Sequence, residues 1–170
     1  EDRIEALEAK LQYLAVVSGV VNGMPGPHVM ITGANLHVRS GTGATAWTVN
    51  GVGNLVVGYN ELRGSGDDRT GSHNIVVGIR QNYSSYGGLV AGDLNTISGG
   101  YASVIGGFAN TARGNYASVS GGDYNTASGI YASVSGGSHH TASGSRSSVS
   151  GGAENTASGN YASVSGGAYN

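Results

Sequence analysis

The chain has no cysteine, two prolines, one tryptophan and one phenylalanine among its 170 residues. Without cysteine there is no disulfide and no thiolate metal site. Charge is also scarce: 11% of residues are charged, and eight Lys and Arg leave a formal net charge of −2. The basic residues are scattered rather than clustered. A nucleic-acid partner, which requires a dense cationic surface, is therefore not expected. No apolar run reaches the roughly 18 residues of a membrane span, so this segment is not expected to insert into a membrane. No signal-peptide pattern opens the chain. Large aliphatic residues are too sparse for a thick globular core. What abounds is glycine, at 32 residues, with serine and asparagine. That composition alone points to disorder; a strict internal period argues otherwise.

Tyr101, Tyr116, Tyr131 and Tyr161 are spaced by fifteen residues or twice that, with Arg146 in the gap. Val104, Val119, Val134, Val149 and Val164 keep the same step, as do Ala112, Ala127, Ala142 and Ala157. The unit reads YASVSGGxxNTASGx. Fifteen residues are too few for a pair of helices but fit one coil of a β-solenoid, with two short strands and two turns. In the coil from Thr126 to His140, Thr126-Ala127-Ser128 is one strand with Ala127 inward, and Gly129 begins a turn. Tyr131 to Ser135 alternates, so Ala132 and Val134 share a face. Gly136-Gly137 makes the second turn, where positive φ is cheap. Stacked coils align Asn95, Asn110, Asn125, Asn155 and Asn170 in a corner ladder, interrupted by His140. Asparagine in such a ladder is read as turn formation and hydrogen bonding along the stack.

The pattern continues upstream in degenerate form. Leu89 lies fifteen residues before Val104, Ile75 fourteen before Leu89, and Leu55 twenty before Ile75. The longer step implies an insertion, placed at Arg63 to Ser72. Coils are thus expected over 54–170, eight or so in number, making a rod about 40 Å long at the sheet spacing.

At the other end, Ile4, Leu7, Leu11 and Leu14 follow steps of three, four and three, an a/d seam. A coiled-coil helix is expected over 1–22. Ile at a with Leu at d leans towards dimers. Arg3-Ile4-Glu5-Ala6-Leu7-Glu8, by contrast, resembles the short R-h-x-x-h-E motif of three-stranded coiled coils, which assigns Arg3 and Glu8 to a trimer. Gly23 to Pro27 breaks the helix. Residues 23–53 are read as connecting and capping: strands within His28–Arg39 that open the roll, through Val29, Ile31, Leu36 and Val38, then a Gly/Thr-rich loop whose Trp47 seals the first coil. The chain begins within a heptad pattern and ends inside a repeat, so it is expected to be a segment of a longer protein.

The fold class expected is all-β, a parallel β-solenoid or β-roll of fifteen-residue coils with a short N-terminal coiled coil. Asn54-Leu55-Val56-Val57-Gly58 and Asn74-Ile75-Val76-Val77-Gly78, beside a coiled coil, resemble the head of YadA-like trimeric autotransporter adhesins. The later Ser118-Val119-Ser120-Gly121-Gly122 form departs, with Ser and Gly where that family has Ala and Ile. The resemblance implies a left-handed roll, a homotrimer around one axis, an extracellular or cell-surface location and a role in attachment to a host or surface glycan or protein. Trimeric tail fibres of phages and contractile injection machines also use β-solenoids.

No catalytic constellation is present: no H-E-x-x-H, no paired-carboxylate spacing, no nucleophile elbow. An enzyme, a cofactor and a metal are therefore not expected. His139-His140 is read as polar substitution at exposed positions, because neighbours on a strand point apart. Calcium-binding rolls need a nine-residue period with a recurrent Asp, whereas Asp123 becomes Phe108, Ser138, Ala153 and Ala168 in the other coils. Asp67-Asp68 is read as a solvated loop. Thr126/Ser128, Thr141/Ser143 and Thr156/Ser158 form a hydroxyl ladder, broken by Arg113, that would suit an ice-binding or extracellular matrix solenoid. For partner recognition the irregular loops are favoured: Tyr59, Asn60, Glu61 and Arg63 in one, Tyr83 and Tyr86 in another. Tyr124 and His139 join them, at a position that also accepts Leu94, Ala109, Glu154 and Tyr169 and so faces solvent.

Overall fold

The computed structural model describes residues 2–170, which divide into two compact units between His37 and Val38. In the first unit, helix α1 spans Asp2–Leu11, with Lys10 complementing the dipole in its last turn. Ile4, Leu7 and Leu11 are exposed along it. The helix stops short of residue 22 because the next segment is a better strand. Leu14–Val17 (β1) pairs antiparallel with His28–Ile31 (β4). Between them Val20–Val21 (β2) pairs with Met24–Pro25 (β3) around Asn22-Gly23. Both turn residues have positive φ, 51° and 79°, the two-residue hairpin geometry that Asn-Gly favours. Leu14 is therefore the first residue of a strand, not the fourth position of a helical seam. His28–Ile31 likewise belongs to this antiparallel ladder rather than to the opening of the roll, and Leu36 and Val38 lie outside any strand.

The second unit is a parallel β-solenoid of about six full turns. Two sheets run along it. The eight-stranded one begins with Leu55–Val57 (β5), Ile75–Ile79 (β6) and, after Asn82–Tyr83 (β7) in the other sheet, Leu89–Asp93 (β8). It continues through Ser103–Val104, Ser118–Val119, Ser133–Val134, Ser148–Val149 and Ser163–Val164. The six-stranded sheet runs from β7 through Thr96–Ile97 to Thr111–Ala112, Thr126–Ala127, Thr141–Ala142 and Thr156–Ala157. Register is equal-on-equal: Val119 pairs with Val134 and Ala127 with Ala142. The irregular steps upstream are absorbed in the same way, Leu55 pairing with Ile75 and Ile75 with Leu89.

The core is thin. Val76, Val90, Val104, Val119, Val134 and Val149 meet Ile97, Ala112, Ala127, Ala142 and Ala157, all essentially buried. Each valine contributes roughly 1.5–3 kcal/mol, and the alanines let the two sheets approach closely. A corner ladder supplies the rest. The amide of Gln81 donates to Oδ1 of Asn60, that of Asn95 to Oε1 of Gln81 and that of Asn110 to Oδ1 of Asn95, at 2.7, 3.0 and 2.7 Å. Asn125, His140, Asn155 and Asn170 continue it. Each asparagine amide also binds carbonyls, as Asn125 Nδ2 does those of Gly121 and Gly137 at 3.0 and 2.9 Å.

His140 does not interrupt this column. It is buried, and its Nδ1 replaces the asparagine oxygen, accepting the Asn155 amide at 3.1 Å. The expectation of an exposed His140 is thus corrected; the Asn column points inward, and only His139 faces out. The imidazole is an imperfect substitute, since its Nε2 is buried without a partner.

Two corners of each coil place ordinary residues in the left-handed region. Tyr101, Tyr116, Tyr131, Arg146 and Tyr161 have φ of 56–61°, and Leu94, Ala109, Tyr124, His139, Glu154 and Tyr169 have 54–60°. The cost is about 1 kcal/mol per residue. The compensation is direct, because this geometry aims each amide at the preceding coil: Tyr131 N at Asn115 O and Tyr124 N at Phe108 O, both at 3.0 Å.

Candidate binding surfaces

Parallel register turns each outward position into a line along the rod. On the eight-stranded sheet these lines change character partway. The first rungs present Leu55, Val57, Ile75, Val77 and Ile79, all exposed, with Leu89 half-buried beside them. Ile105, 58% exposed, is the last of the series. Beyond it the same positions are Ser118, Ser133, Ser148 and Ser163, flanked by Ser120, Ser135 and Ser150. The N-terminal rungs thus carry a contiguous apolar face, which an isolated soluble surface rarely keeps. The six-stranded sheet presents Thr96, Thr111, Thr126, Thr141 and Thr156 in register.

A third line runs along one tyrosine corner. Tyr101 and Tyr116 stack at 5.2 Å between ring centroids, and Tyr116 and Tyr131 at 4.8 Å. Tyr86 meets Tyr101 edge-on, and Trp47 tilts against Tyr86 at 6.1 Å. Arg146 occupies the gap as a cation between Tyr131 and Tyr161, its guanidinium 5.2 and 5.5 Å from their rings. Such contacts contribute about 0.5–1.5 kcal/mol each. Trp47 does not seal the first coil. Its φ of 75° swings it outward and it is 88% exposed, touching only one side of the tyrosine column.

The proposed partner-binding residues separate into two groups. Tyr59 is 95% exposed and Glu61 is exposed beside it. Tyr86 is half-buried in the tyrosine column. Tyr124 and His139 are exposed and stack at 5.0 Å, with Phe108 against Tyr124. Asn60 and Tyr83, in contrast, are buried, one starting the corner ladder and the other in the core. Arg63 is a strap. Its Nε donates to the Arg80 carbonyl at 2.6 Å, and its terminal nitrogens reach Thr96 Oγ1 at 3.1 Å and the Asn95 carbonyl. Burial pulls this guanidinium below its ordinary pKa, against the nearby Asp67. Next to it Arg80 forms a two-pronged pair with Asp93, whose hydrogen bond raises the Arg80 pKa. Arg63 thus clips the first part of the interrupting loop to the rod, while Asn82 holds its second part through Gly66 O and the Asp68 amide, at 2.8 and 3.1 Å. Arg63→Ala should leave the solenoid folded but release residues 61–65, between Asn60 in the ladder and Gly66 held by Asn82. Limited proteolysis should then cut there several-fold faster, the loss of charged hydrogen bonds costing about 1.5–3 kcal/mol each.

Among the described residues no group of three or more His, Asp and Glu could hold a metal ion. One arrangement resembles catalytic parts without their order. Ser138 Oγ lies 2.6 Å from His139 Nδ1 and 3.1 Å from Asp123 Oδ2. The serine stands between acid and imidazole, so the carboxylate orients no imidazole and no relay to the hydroxyl exists. No helix among the described residues is long and apolar enough to cross a membrane.

The fold defines a repeat protein that offers lines of like side chains along its sheets and corners. Comparison with protein-family models, with curated proteins and with solved structures gives no match.

Proposed function

We propose that this chain is a non-catalytic fibrous module of the YadA-like adhesin kind, a homotrimer displayed at the cell surface or outside the cell that presents a binding surface to a host or surface glycan or protein, without cofactor. The apolar outward face of the first rungs carries the reading. Leu55, Val57, Ile75 and Val77 sit on a flat sheet, and two further copies of the same face would cover them around one axis. Ile4, Leu7 and Leu11 add a second exposed apolar line, flanked by Arg3 and Glu8. Light scattering should give about three times the 16.9 kDa chain mass. Lysine at both Leu55 and Ile75 should reduce it to the monomer mass with the solenoid's circular dichroism unchanged. A wild-type monomer would sink the proposal. A trimeric tail fibre of a phage or injection machine would share this geometry; a membrane anchor in the full gene separates the two.

The in-register threonines of the six-stranded sheet favour a second reading, an ice-binding or matrix solenoid. A monomer that produces thermal hysteresis would establish it in place of the first.

A further inference from the structure

We propose that the loop 39–47, held by His73, is a site for an anionic saccharide, a sugar bearing a carboxylate or a sulfate. The inference rests on the surface-attachment reading and names the class of ligand. The loop borders a half-open cleft of about 450 Å³ lined by Arg39, Ser40, Gly41, Gly43, Thr45 and His73, with Ala44, within the usual range for small-ligand sites.

His73 fixes the loop at both ends. Its Nε2 accepts the Ser40 amide at 3.0 Å, and its Nδ1 donates to the Thr45 carbonyl at 3.2 Å. These two bonds require the neutral ring with its proton on Nδ1. Asn50 adds a third tie, donating to the Ser40 carbonyl at 2.9 Å. The loop is thus shaped before any ligand arrives, which lowers the ordering cost of binding.

Its donors, however, are unspent. Arg69 and Arg80 each pair with an aspartate, but Arg39 is exposed and pairs with no carboxylate among the described residues. The amides of Gly41 and Gly43 make no hydrogen bond among the described residues. Both glycines have positive φ, 83° and 86°, and a Cβ on either would meet nothing within 4 Å. No acidic side chain lines the cavity. A guanidinium beside free amides suits a single compact anion, and one arginine is too few for a polyanion such as nucleic acid. Trp47, three residues beyond Ala44 of the lining, is 88% exposed with only Tyr86 against its ring, a platform of the kind that sugar rings and other amphipathic groups contact.

Trp47 is the only tryptophan, so its emission reports the site in the full chain. Glucuronate and glucose 6-sulfate should each shift it saturably, with half-saturation at about 1 mM, and glucose should not. Arg39→Gln, at an exposed position, should weaken the response about tenfold with unchanged circular dichroism. A response to only one of the two anions supports the site and identifies the acid it takes. An equal response to glucose, an Arg39→Gln curve superimposed on wild type, or no saturable response to either anion overturns it. Molar mass is read separately: a trimer without a saccharide response sinks this site alone, and a monomer that responds sinks the fibre alone.

Discussion

Alanine at Gly129 will destabilise the solenoid by about 3 kcal/mol or more, while alanine at Gly136, seven residues away in the same coil, will be neutral or slightly stabilising. Neither glycine needs positive φ, so the contrast isolates packing. A Cβ on Gly129 would overlap the Gly144 carbonyl of the next coil and lie 2.9 Å from the Ser143 carbonyl. Both obstacles are backbone, fixed by the pairing of Thr126 with Thr141, and cannot turn aside as a side chain can. Gly114 and Gly144 face the same obstruction from the coil above each, whereas a Cβ on Gly136 meets nothing within 4 Å. Urea or thermal melts at fixed protein concentration measure the difference, the concentration being held because self-association shifts apparent stability. Equal midpoints for the two variants would show that the coils are not stacked this closely.

Asn125→Ala should cost about 3–5 kcal/mol. It removes the acceptor of the His140 amide and the donor to Gly121 and Gly137, in a column from which water is excluded. Each buried group left without a partner costs about 1–3 kcal/mol. The converse change should be favourable. At His140 and in the coil that follows it, the imidazole Nε2 and the Ser147 hydroxyl are both buried without partners. Ser147 stands where the neighbouring coils have Ala132 and Ala162. His140→Asn and Ser147→Ala should therefore each raise stability by about 1–2 kcal/mol, and together they should give nearly the sum of the two. A loss of stability in His140→Asn would mean that the histidine is held by something other than the asparagine geometry.

The regular coils were legible because identical spacing at three kinds of position leaves only one stacking. Val134 and Ala127 could be turned inward from alternation alone, and Leu55, Ile75 and Leu89 could be placed on successive rungs despite steps of twenty and fourteen. Single departures were harder. His140 read as exposed because histidine usually is, yet its burial follows from its column. Leu14 fitted a helical seam by spacing, and the Asn22-Gly23 hairpin with valines around it prevailed. Asn60 and Arg63 looked like loop residues free for a partner. Their roles depend on Gln81 and Asn95, more than twenty residues away, which no local pattern reveals. The left-handed turns at Tyr131 and Tyr124 were hidden for a related reason: what favours that geometry there is the bond from each amide to the preceding coil.

The hand-over of one amide to the side chain fifteen residues earlier has an evolutionary corollary. Each coil receives the same contacts it gives, so a duplicated stretch of fifteen residues arrives with its own donors and acceptors already matched. In-frame gain or loss of such a stretch leaves no mismatch at the junction, whereas the steps of 21 and 14 residues at the start of the column are bridged by Gln81 in place of asparagine. Solenoid length thus becomes a heritable variable that unequal recombination between near-identical repeats can adjust, independently of the loops and of the apolar face at the other end of the sheet.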